Sequence, residues 1–251
     1  MLTNQTLAKL ADLGLAAMAE TLAEQLTTPG PWNELSFEER LGLLVDKEAD
    51  ARDSRRLRTR LRAAKLRYPA ALEDLDLRAP RGLDKAVMAE LGGARWVSHH
   101  HNVVLTGPTG VGKSWIACAL AHSAIRAGHG ALYVRAPRLV DDLAIGRADG
   151  RYARMLSTLA KTPLLVLDDF LLTPAPVESC RDLLEVIEDR AARRSTLVVS
   201  QLPVEHWHGA MADPTLAEAI LDRILAASHR IALKGPSQRT REPAVPTGEP
   251  A

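Results

Sequence analysis

Residues Gly107–Ser114 (GPTGVGKS) match the pattern G-x-x-x-x-G-K-S/T, which is typical of loops that bind nucleotide phosphates. Glycines let backbone N–H groups surround phosphate oxygens, and a following helix directs the positive end of its dipole at them. The lysine contacts the β- and γ-phosphates, and the next hydroxyl ligates Mg²⁺. We therefore predict that the loop binds ATP or a related nucleotide with Mg²⁺. The predicted nucleotide-binding residues are Gly107, Pro108, Thr109, Gly110, Val111, Gly112, Lys113 and Ser114.

Paired acids, Asp168 and Asp169, follow the apolar run Leu164–Leu167. Carboxylates at the end of a buried strand are typical of the acidic half of a phosphate-transfer site. We predict that Asp168 holds Mg²⁺ together with Ser114, and that Asp169 orients or deprotonates the attacking water. The alternative is that both carboxylates only cap the next segment of the chain.

Two further side chains could complete a hydrolytic site. Ser200 and Gln201 end the run TLVVSQ, where a polar group could act between γ-phosphate and water, although Ser200 could instead cap a turn. Arg223 could pair within its own helix, for example with Glu218. It could also reach the γ-phosphate of a neighbouring subunit, a role worth ~10³–10⁵-fold in rate. The predicted catalytic residues are Lys113, Asp169, Ser200 and Arg223.

Apolar runs alternate with helical patterns around these residues. Short apolar runs separated by helices are typical of strands buried on both faces of a parallel sheet, so the predicted fold class is α/β. We predict helices over Ser114–Ala127 and Ser179–Ala192. The predicted strands are Val103–Thr106, Ala131–Val134, Leu164–Leu167, Thr196–Val199 and Arg230–Leu233.

The first part of the chain has a different, helical pattern. The segment TTPGP at 27–31 ends a first helix. Ser36 and Glu39 have the spacing of a capping box, which predicts a second helix from Phe37 to about Arg67. We predict a helical N-terminal domain over 1–68, a connector over 69–95, a nucleotide-binding domain over 96–239 and a disordered, Pro-rich tail over 240–251.

Positive charge is concentrated in the second of these helices. Eight basic residues and one acid lie between Arg52 and Arg67, so this segment has a charge of +7 and the rest of the chain −6. A merely solvated helix face, the alternative, usually carries compensating acids, which are missing here. We therefore predict contact with nucleic acid. The predicted contact residues are Arg52, Arg55, Arg56, Arg58, Arg62 and Lys65.

Composition limits the compartment. Cys118 and Cys180 are too few for a disulfide framework, which favours a reducing environment. No apolar run approaches the ~20 residues that a membrane helix needs. Charged residues also interrupt any secretion-signal pattern at the N-terminus. We expect a cytoplasmic protein without a membrane partner.

The motifs together resemble the IstB-like ATP-binding proteins, helper ATPases of bacterial insertion sequences that are related to DnaC-type helicase loaders. The resemblance covers Leu7 to Arg239. It depends on the ERL–E stretch (39–48), KLRYPAALEDLDL (65–77), GPTGVGKS and LLVLDD. Two further segments are more discriminating, SQLPVEHWH (200–208) and the tail DPTLAEAILDRI…LKGPSQR (213–239). The resemblance implies an AAA+ fold, with a five-stranded parallel sheet preceded by a small all-α N-terminal domain. It also implies that ATP drives assembly of a homo-oligomer on duplex DNA, which assists a transposase.

The same resemblance implies roles for single residues. Lys113 and Ser114 match Walker A, and Asp168 and Asp169 match Walker B. By position, Ser200 falls near sensor 1, Arg223 matches the arginine finger, Arg230 or Arg239 is a candidate second sensor, and a DNA-contacting helix falls within Pro137–Gly150.

The chain departs from the family pattern at two places. Asp169 replaces the Glu of many AAA+ enzymes, and its shorter reach suggests slow turnover. Phe170-Leu171 replaces the usual Trp-Gly. Two alternative functions stay open, a replicative helicase loader and a small-molecule P-loop kinase. A kinase needs a substrate pocket with a lid, and the basic helix does not indicate one.

Overall fold

The computed structural model describes residues 2–28, 30–79 and 81–238, which fall into two compact units that divide between Thr59 and Arg60. This division differs from the predicted boundary after residue 68. Residues 69–95, predicted as a connector, belong to the second unit because they pack within it, for example through the Ser123 hydroxyl, which donates to the Gly92 carbonyl at 2.6 Å. The predicted tail over 240–251 and Arg239 lie outside the described residues.

The first unit contains helices α1 (Leu2–Asp12) and α2 (Ala16–Thr27) and most of the long helix α3 (Phe37–Ala64). The capping box is confirmed, because the Glu39 carboxylate accepts the Ser36 N–H at 2.7 Å and Ser36 Oγ accepts the Glu39 N–H at 3.2 Å. Helix α3 ends at Ala64, earlier than predicted, since Lys65 has a left-handed backbone with φ +51°.

A buried carboxylate connects two helices of the first unit. Glu48 of α3 is 5% exposed, and its Oε2 accepts the N–H groups of Ala17 and Met18 at 3.1 and 3.2 Å. It thereby caps the first turn of α2, whose own N-cap residue, Leu15, has no polar side chain to do so. Arg52 donates to Glu48 Oε1 at 2.9 Å and neutralises the charge.

The second unit is built on a five-stranded parallel sheet of order β2-β3-β4-β1-β5, which confirms the predicted α/β class. Each strand lies within two residues of its predicted position, and the largest shift is at β5. The strands are β1 (Asn102–Thr106), β2 (Ala131–Arg135), β3 (Leu164–Asp168), β4 (Ser195–Ser200) and β5 (Ser228–Ala232).

Seven helices of the described chain complete this unit. They are α4 (Lys85–Gly92), α5 (Arg95–Ser98), α6 (Lys113–Arg126), α7 (Ala136–Asp149), α8 (Tyr152–Lys161), α9 (Val177–Arg190) and α10 (Pro214–Leu225). Helix α6 contacts β1 to β4, and α7 to α10 share a hydrophobic core with β3 and β4. Throughout the described ranges, no helix combines the length and apolar character that crossing a membrane requires.

A buried arginine holds the end of the sheet opposite the predicted site. Arg190, the last residue of α9, is 1% exposed. Its guanidinium donates to the carbonyls of Leu159, Thr162 and Ser195 and to Thr196 Oγ1. Burial lowers the pKa of Arg190 to about 9, so the group is still charged at neutral pH and its donors stay paired.

We expect the Glu48 cap to give a pH-dependent contribution to stability. Burial raises the pKa of Glu48, but the hydrogen bonds from Arg52, Met18 and Ala17 together lower it below the ordinary 4.5. A carboxyl group with a lower pKa in the folded state stabilises the fold above its unfolded pKa, and this contribution is lost as pH falls through the folded pKa. The stability difference between wild type and Glu48→Gln should therefore be full at pH 7 and shrink below pH 4.5.

Thermal denaturation followed by circular dichroism, at pH values from 7 to about 3, measures this difference. Glu24→Gln is the matched control, since Glu24 is exposed on α2. An unchanged difference between wild type and Glu48→Gln across this range would contradict the assignment.

Candidate functional site

The phosphate-binding loop connects β1 to α6 at the carboxyl edge of the sheet. Gly107 and Gly110 have φ +141° and +86°, a region of backbone space that favours glycine. Helix α6 begins at Lys113, so the loop's N–H groups and the helix N-terminus face the same space. The loop therefore has the local structure that its motif predicts.

Lys113 is held inside the loop. Lys113 is only 7% exposed, and its Nζ donates to the carbonyls of Gly107 and Pro108 at 2.7 and 2.8 Å. Lys113 and Ser114 line a cleft of about 370 Å³ together with Asp168 and Asp169. The structure thus brings together the two predicted halves of the site.

The paired acids have different surroundings. Asp168 is 1% exposed, and its Oδ1 accepts the Asp169 N–H at 2.8 Å while its Oδ2 accepts the Tyr133 hydroxyl. Asp169 has a left-handed backbone with φ +56°, which turns its carboxylate towards Arg135, whose Nε donates to Oδ2 at 2.7 Å. Tyr133 and Arg135 both belong to β2, and sequence reasoning missed both because no motif marks them.

Ser200 and Gln201 both line the cleft, with different partners. The Ser200 hydroxyl is fully buried, donates to the Phe170 carbonyl at 2.7 Å and accepts the Leu202 N–H at 3.1 Å. These backbone contacts fit the turn-capping alternative, and its catalytic role stays a prediction. Gln201 Oε1 accepts the Thr109 hydroxyl at 2.6 Å, so this side chain contacts the phosphate-binding loop directly.

The cleft also includes residues from the predicted connector. Arg81 is 7% exposed and its guanidinium donates to the Asp76 carbonyl at 2.7 Å and the Val111 carbonyl at 3.4 Å. The sequence motif KLRYPAALEDLDL marked most of this segment but not its contact with the cleft. The lining residues from the connector are Asp74, Leu75, Asp76 and Arg81, and Arg67 and Tyr68, which precede the connector, also line the cleft.

The segment Leu233–Gln238, which follows β5, lies across the phosphate-binding loop. The N–H of Leu233 donates to the Thr106 carbonyl at 2.8 Å, and the N–H of Gln238 donates to the Gly110 carbonyl at 2.8 Å. A Cβ at Gly107 would lie 2.4 Å from the Leu233 carbonyl oxygen, so glycine is required there for this close approach. Residues 233–238 of the tail motif LKGPSQR thus belong to the site.

Arg223 and Arg230, two of the predicted arginines near the C-terminus, lie outside the cleft. Arg223 Nε forms an ion pair with Glu188 of α9, and its Nη1 donates to the Ala219 carbonyl at 2.9 Å. Its partner is therefore on another helix and not Glu218. Arg230 is an exposed residue of β5, and its side chain donates to the Ser228 hydroxyl and the Leu225 carbonyl. Helix α7 coincides with the segment Pro137–Gly150, where an additional helix was predicted.

The predicted nucleic-acid contacts on and after α3 fall into two groups. Arg52 pairs with Glu48, and Arg56 pairs with Asp53 at 3.3 Å. The other four are exposed, and within the described ranges none of them forms an ion pair with an acid. They are Arg55, Arg58, Arg62 and Lys65.

Comparison with known proteins identifies the family. The profile of the IstB-like ATP binding proteins matches residues 8–244. The chain belongs to this family. It is 49% identical over 242 residues to an insertion sequence ATP-binding protein of Sinorhizobium fredii, an alignment that covers 96% of this chain and 98% of that relative.

Solved structures agree with the fold. The chain is similar to DnaI, with a TM-score of 0.57 and 21% identity over 66% of this chain and 92% of the other. It is also similar to the DnaC helicase loader, with a TM-score of 0.55 and 18% identity over 68% of this chain and all of the other. This member of the IstB-like family therefore has the predicted AAA+ P-loop fold with a helical N-terminal region.

The departure from the family pattern at 170–171 has a structural explanation. Leu171 has φ +52°, so its backbone occupies the region where the family's usual glycine is unstrained. Phe170 is fully buried and packs edge-on against Trp207, with ring centroids 5.0 Å apart. An aromatic residue at 170 thus fills the same kind of buried position as the usual tryptophan, at the cost of some strain at 171.

We expect Gly110→Ala to weaken nucleotide binding through the segment Leu233–Gln238. The new Cβ would lie 2.2 Å from Ser237 Oγ, which forces this segment away from the loop. Displacement and backbone strain of ~1–3 kcal/mol predict roughly tenfold weaker binding of a fluorescent ATP analogue. Gly150→Ala is the control, because Gly150 has a similar φ of +80° but no atom within 4 Å. Equal affinities of the two variants would contradict this role for the segment.

Proposed function

We propose that the protein is an ATP-dependent, DNA-binding AAA+ ATPase that assembles on duplex DNA and assists a transposase. The observation that carries the proposal is that Lys113, Ser114, Asp168 and Asp169 all line the same cleft. Membership in the IstB-like ATP binding family and the likeness to an insertion sequence ATP-binding protein support the same function.

The residues of the cleft fit ATP and Mg²⁺. The loop's N–H groups and the Lys113 ammonium would hold the phosphates, and the Ser114 hydroxyl and Asp168 carboxylate are the hard oxygen ligands that Mg²⁺ prefers. Bound Mg²⁺ would neutralise charge on the β- and γ-phosphate oxygens. Leu75 of the connector and Tyr68, just before it, offer apolar and aromatic surface in the same cleft, suited to a purine base.

Hydrolysis requires a group that orients water, and Asp169 is our candidate. Its side chain pairs with Arg135 and is 16% exposed, so a water molecule can approach it. Asp169 would accept the proton of this water while Lys113 stabilises charge on the phosphate. We also propose that Gln201 supports this geometry, because it contacts Thr109 of the loop whereas the Ser200 hydroxyl faces the backbone.

Oligomer assembly would complete the site. Arg223 does not line the cleft of its own chain, and we propose that it reaches the γ-phosphate of a neighbouring subunit. For this, Arg223 must exchange Glu188 for the phosphate. The pair is partly exposed, so the exchange costs little. Hydrolysis by isolated subunits should consequently be slow.

A second candidate function is replicative helicase loading, which the fold similarity to the DnaC helicase loader favours. This similarity is at 18% identity, whereas the insertion sequence relative is 49% identical along nearly the whole chain. A pull-down of the ATP-bound protein with transposase and with replicative helicase separates the two functions. Retention of the helicase alone would favour the loader.

We expect Lys113→Ala to weaken ATP binding and to abolish ATP-dependent assembly. Loss of a charge-assisted contact costs ~1.5–3 kcal/mol, which corresponds to roughly 10–100-fold in affinity. Calorimetry measures binding, and analytical ultracentrifugation with ATP measures assembly. Lys161→Ala is the control, since Lys161 is exposed at the end of α8 and outside the cleft. Normal multimers of Lys113→Ala would refute the nucleotide role.

We expect the triple variant Arg55→Ala, Arg58→Ala and Arg62→Ala to bind duplex DNA more weakly and with a flatter salt dependence. Each lost phosphate contact reduces the slope of log K against log salt by ~0.9, so the slope should fall by up to ~2.7. Fluorescence anisotropy at several salt concentrations measures the slope. A triple Ala variant at the exposed Arg78, Arg154 and Arg193 controls for net charge. Equal slopes for both triple variants would exclude α3 as the DNA contact.

A further inference from the structure

The carboxylate of Asp168 is held at both oxygens. Oδ1 accepts the backbone N–H of Asp169 at 2.8 Å, and Oδ2 accepts the hydroxyl of Tyr133. The backbone N–H comes from the chain itself, whereas the hydroxyl comes from a different strand. Because Asp168 is only 1% exposed, the orientation of its carboxylate depends on these two donors.

The register of β2 and β3 explains how Tyr133 reaches this oxygen. The strands are parallel, with Arg135 opposite Asp168 and Tyr133 opposite Val166. Side chains two residues apart lie on one face of a sheet, so Tyr133 is a diagonal neighbour of Asp168. Diagonal neighbours lie within reach of a long aromatic side chain, and the Tyr133 ring is 8% exposed and packed in place.

We propose that Tyr133 is a positioning residue that orients Asp168 for Mg²⁺. The inference rests on the proposed function, in which Asp168 helps to hold the metal. Groups that fix a metal ligand are worth ~10–100-fold in metal affinity in other proteins.

The decisive variant is Tyr133→Phe, which removes only the hydroxyl. Binding of a fluorescent ATP analogue is measured by anisotropy over a range of Mg²⁺ concentrations and in EDTA. We expect half-saturation to require ~10–100-fold more Mg²⁺ than in wild type, with unchanged binding in EDTA. Thermal denaturation checks that the variant is folded.

A matched control is available within the same unit. The Tyr152 hydroxyl donates to the buried Asp182 at 2.8 Å, and neither residue lines the cleft. Tyr152→Phe thus removes a comparable tyrosine–carboxylate hydrogen bond elsewhere. We expect it to leave the Mg²⁺ dependence unchanged, even if it lowers the melting temperature as much as Tyr133→Phe.

Comparison with Asp168→Asn and Lys113→Ala distinguishes a failure of the positioning role of Tyr133 from a failure of the proposed function. Tyr133→Phe with wild-type Mg²⁺ dependence, while Asp168→Asn loses it, would overturn the positioning role and leave the proposed function intact. If Asp168→Asn also keeps the wild-type Mg²⁺ dependence, or Lys113→Ala binds the analogue normally, the proposed function itself fails and this inference fails with it.

Discussion

The parallel pairing of β1 with β4 and β5, in the order β2-β3-β4-β1-β5, is the constraint on which the site depends. All five strands are parallel, so the loops that follow β1, β3 and β4 begin at the same edge of the sheet. Neighbouring strands are ~4.8 Å apart, so loops that leave them can share a ligand. The phosphate-binding loop, the paired acids and Gln201 therefore meet in one cleft although they are far apart in the chain.

Most of the charged groups of this cleft have a defined protein partner. Lys113 contacts carbonyls of its own loop, Asp168 contacts Tyr133, and Asp169 contacts Arg135. Buried charges need such partners, because an unpaired one would destabilise the fold. The same contacts fix side-chain orientations in advance, which reduces the cost of reorganisation when a ligand binds. The basic helix behaves differently, since Arg55 and Arg58 are exposed to solvent and suited to a partner outside the chain.

Two segments outside the alternating strands and helices also belong to the cleft. Several residues between Arg67 and Arg81 line one part of it, and Leu233–Gln238 covers the loop through backbone hydrogen bonds. Both segments overlap motifs on which the resemblance to the family depends. Their contacts with the cleft give these motifs a physical meaning, because a substitution there changes the walls around the phosphate-binding loop.

The sequence by itself determined the loop Gly107–Ser114, the acids at 168–169, the order of strands and helices and the +7 charge of residues 52–67. These features depend on local spacing, glycine conformation and hydrophobic periodicity, all of which are encoded within short segments. Only the tertiary structure decided which side chains from distant segments meet them. Tyr133 and Arg135 occupy ordinary strand positions, and their contacts with Asp168 and Asp169 depend on the register between β2 and β3. The i,i+4 pair of Glu48 and Arg52 lies within one helix, but only the tertiary structure shows that the Glu48 carboxylate is buried and caps α2. Sequence spacing shows which residues are near in the chain but not which of them lose contact with water.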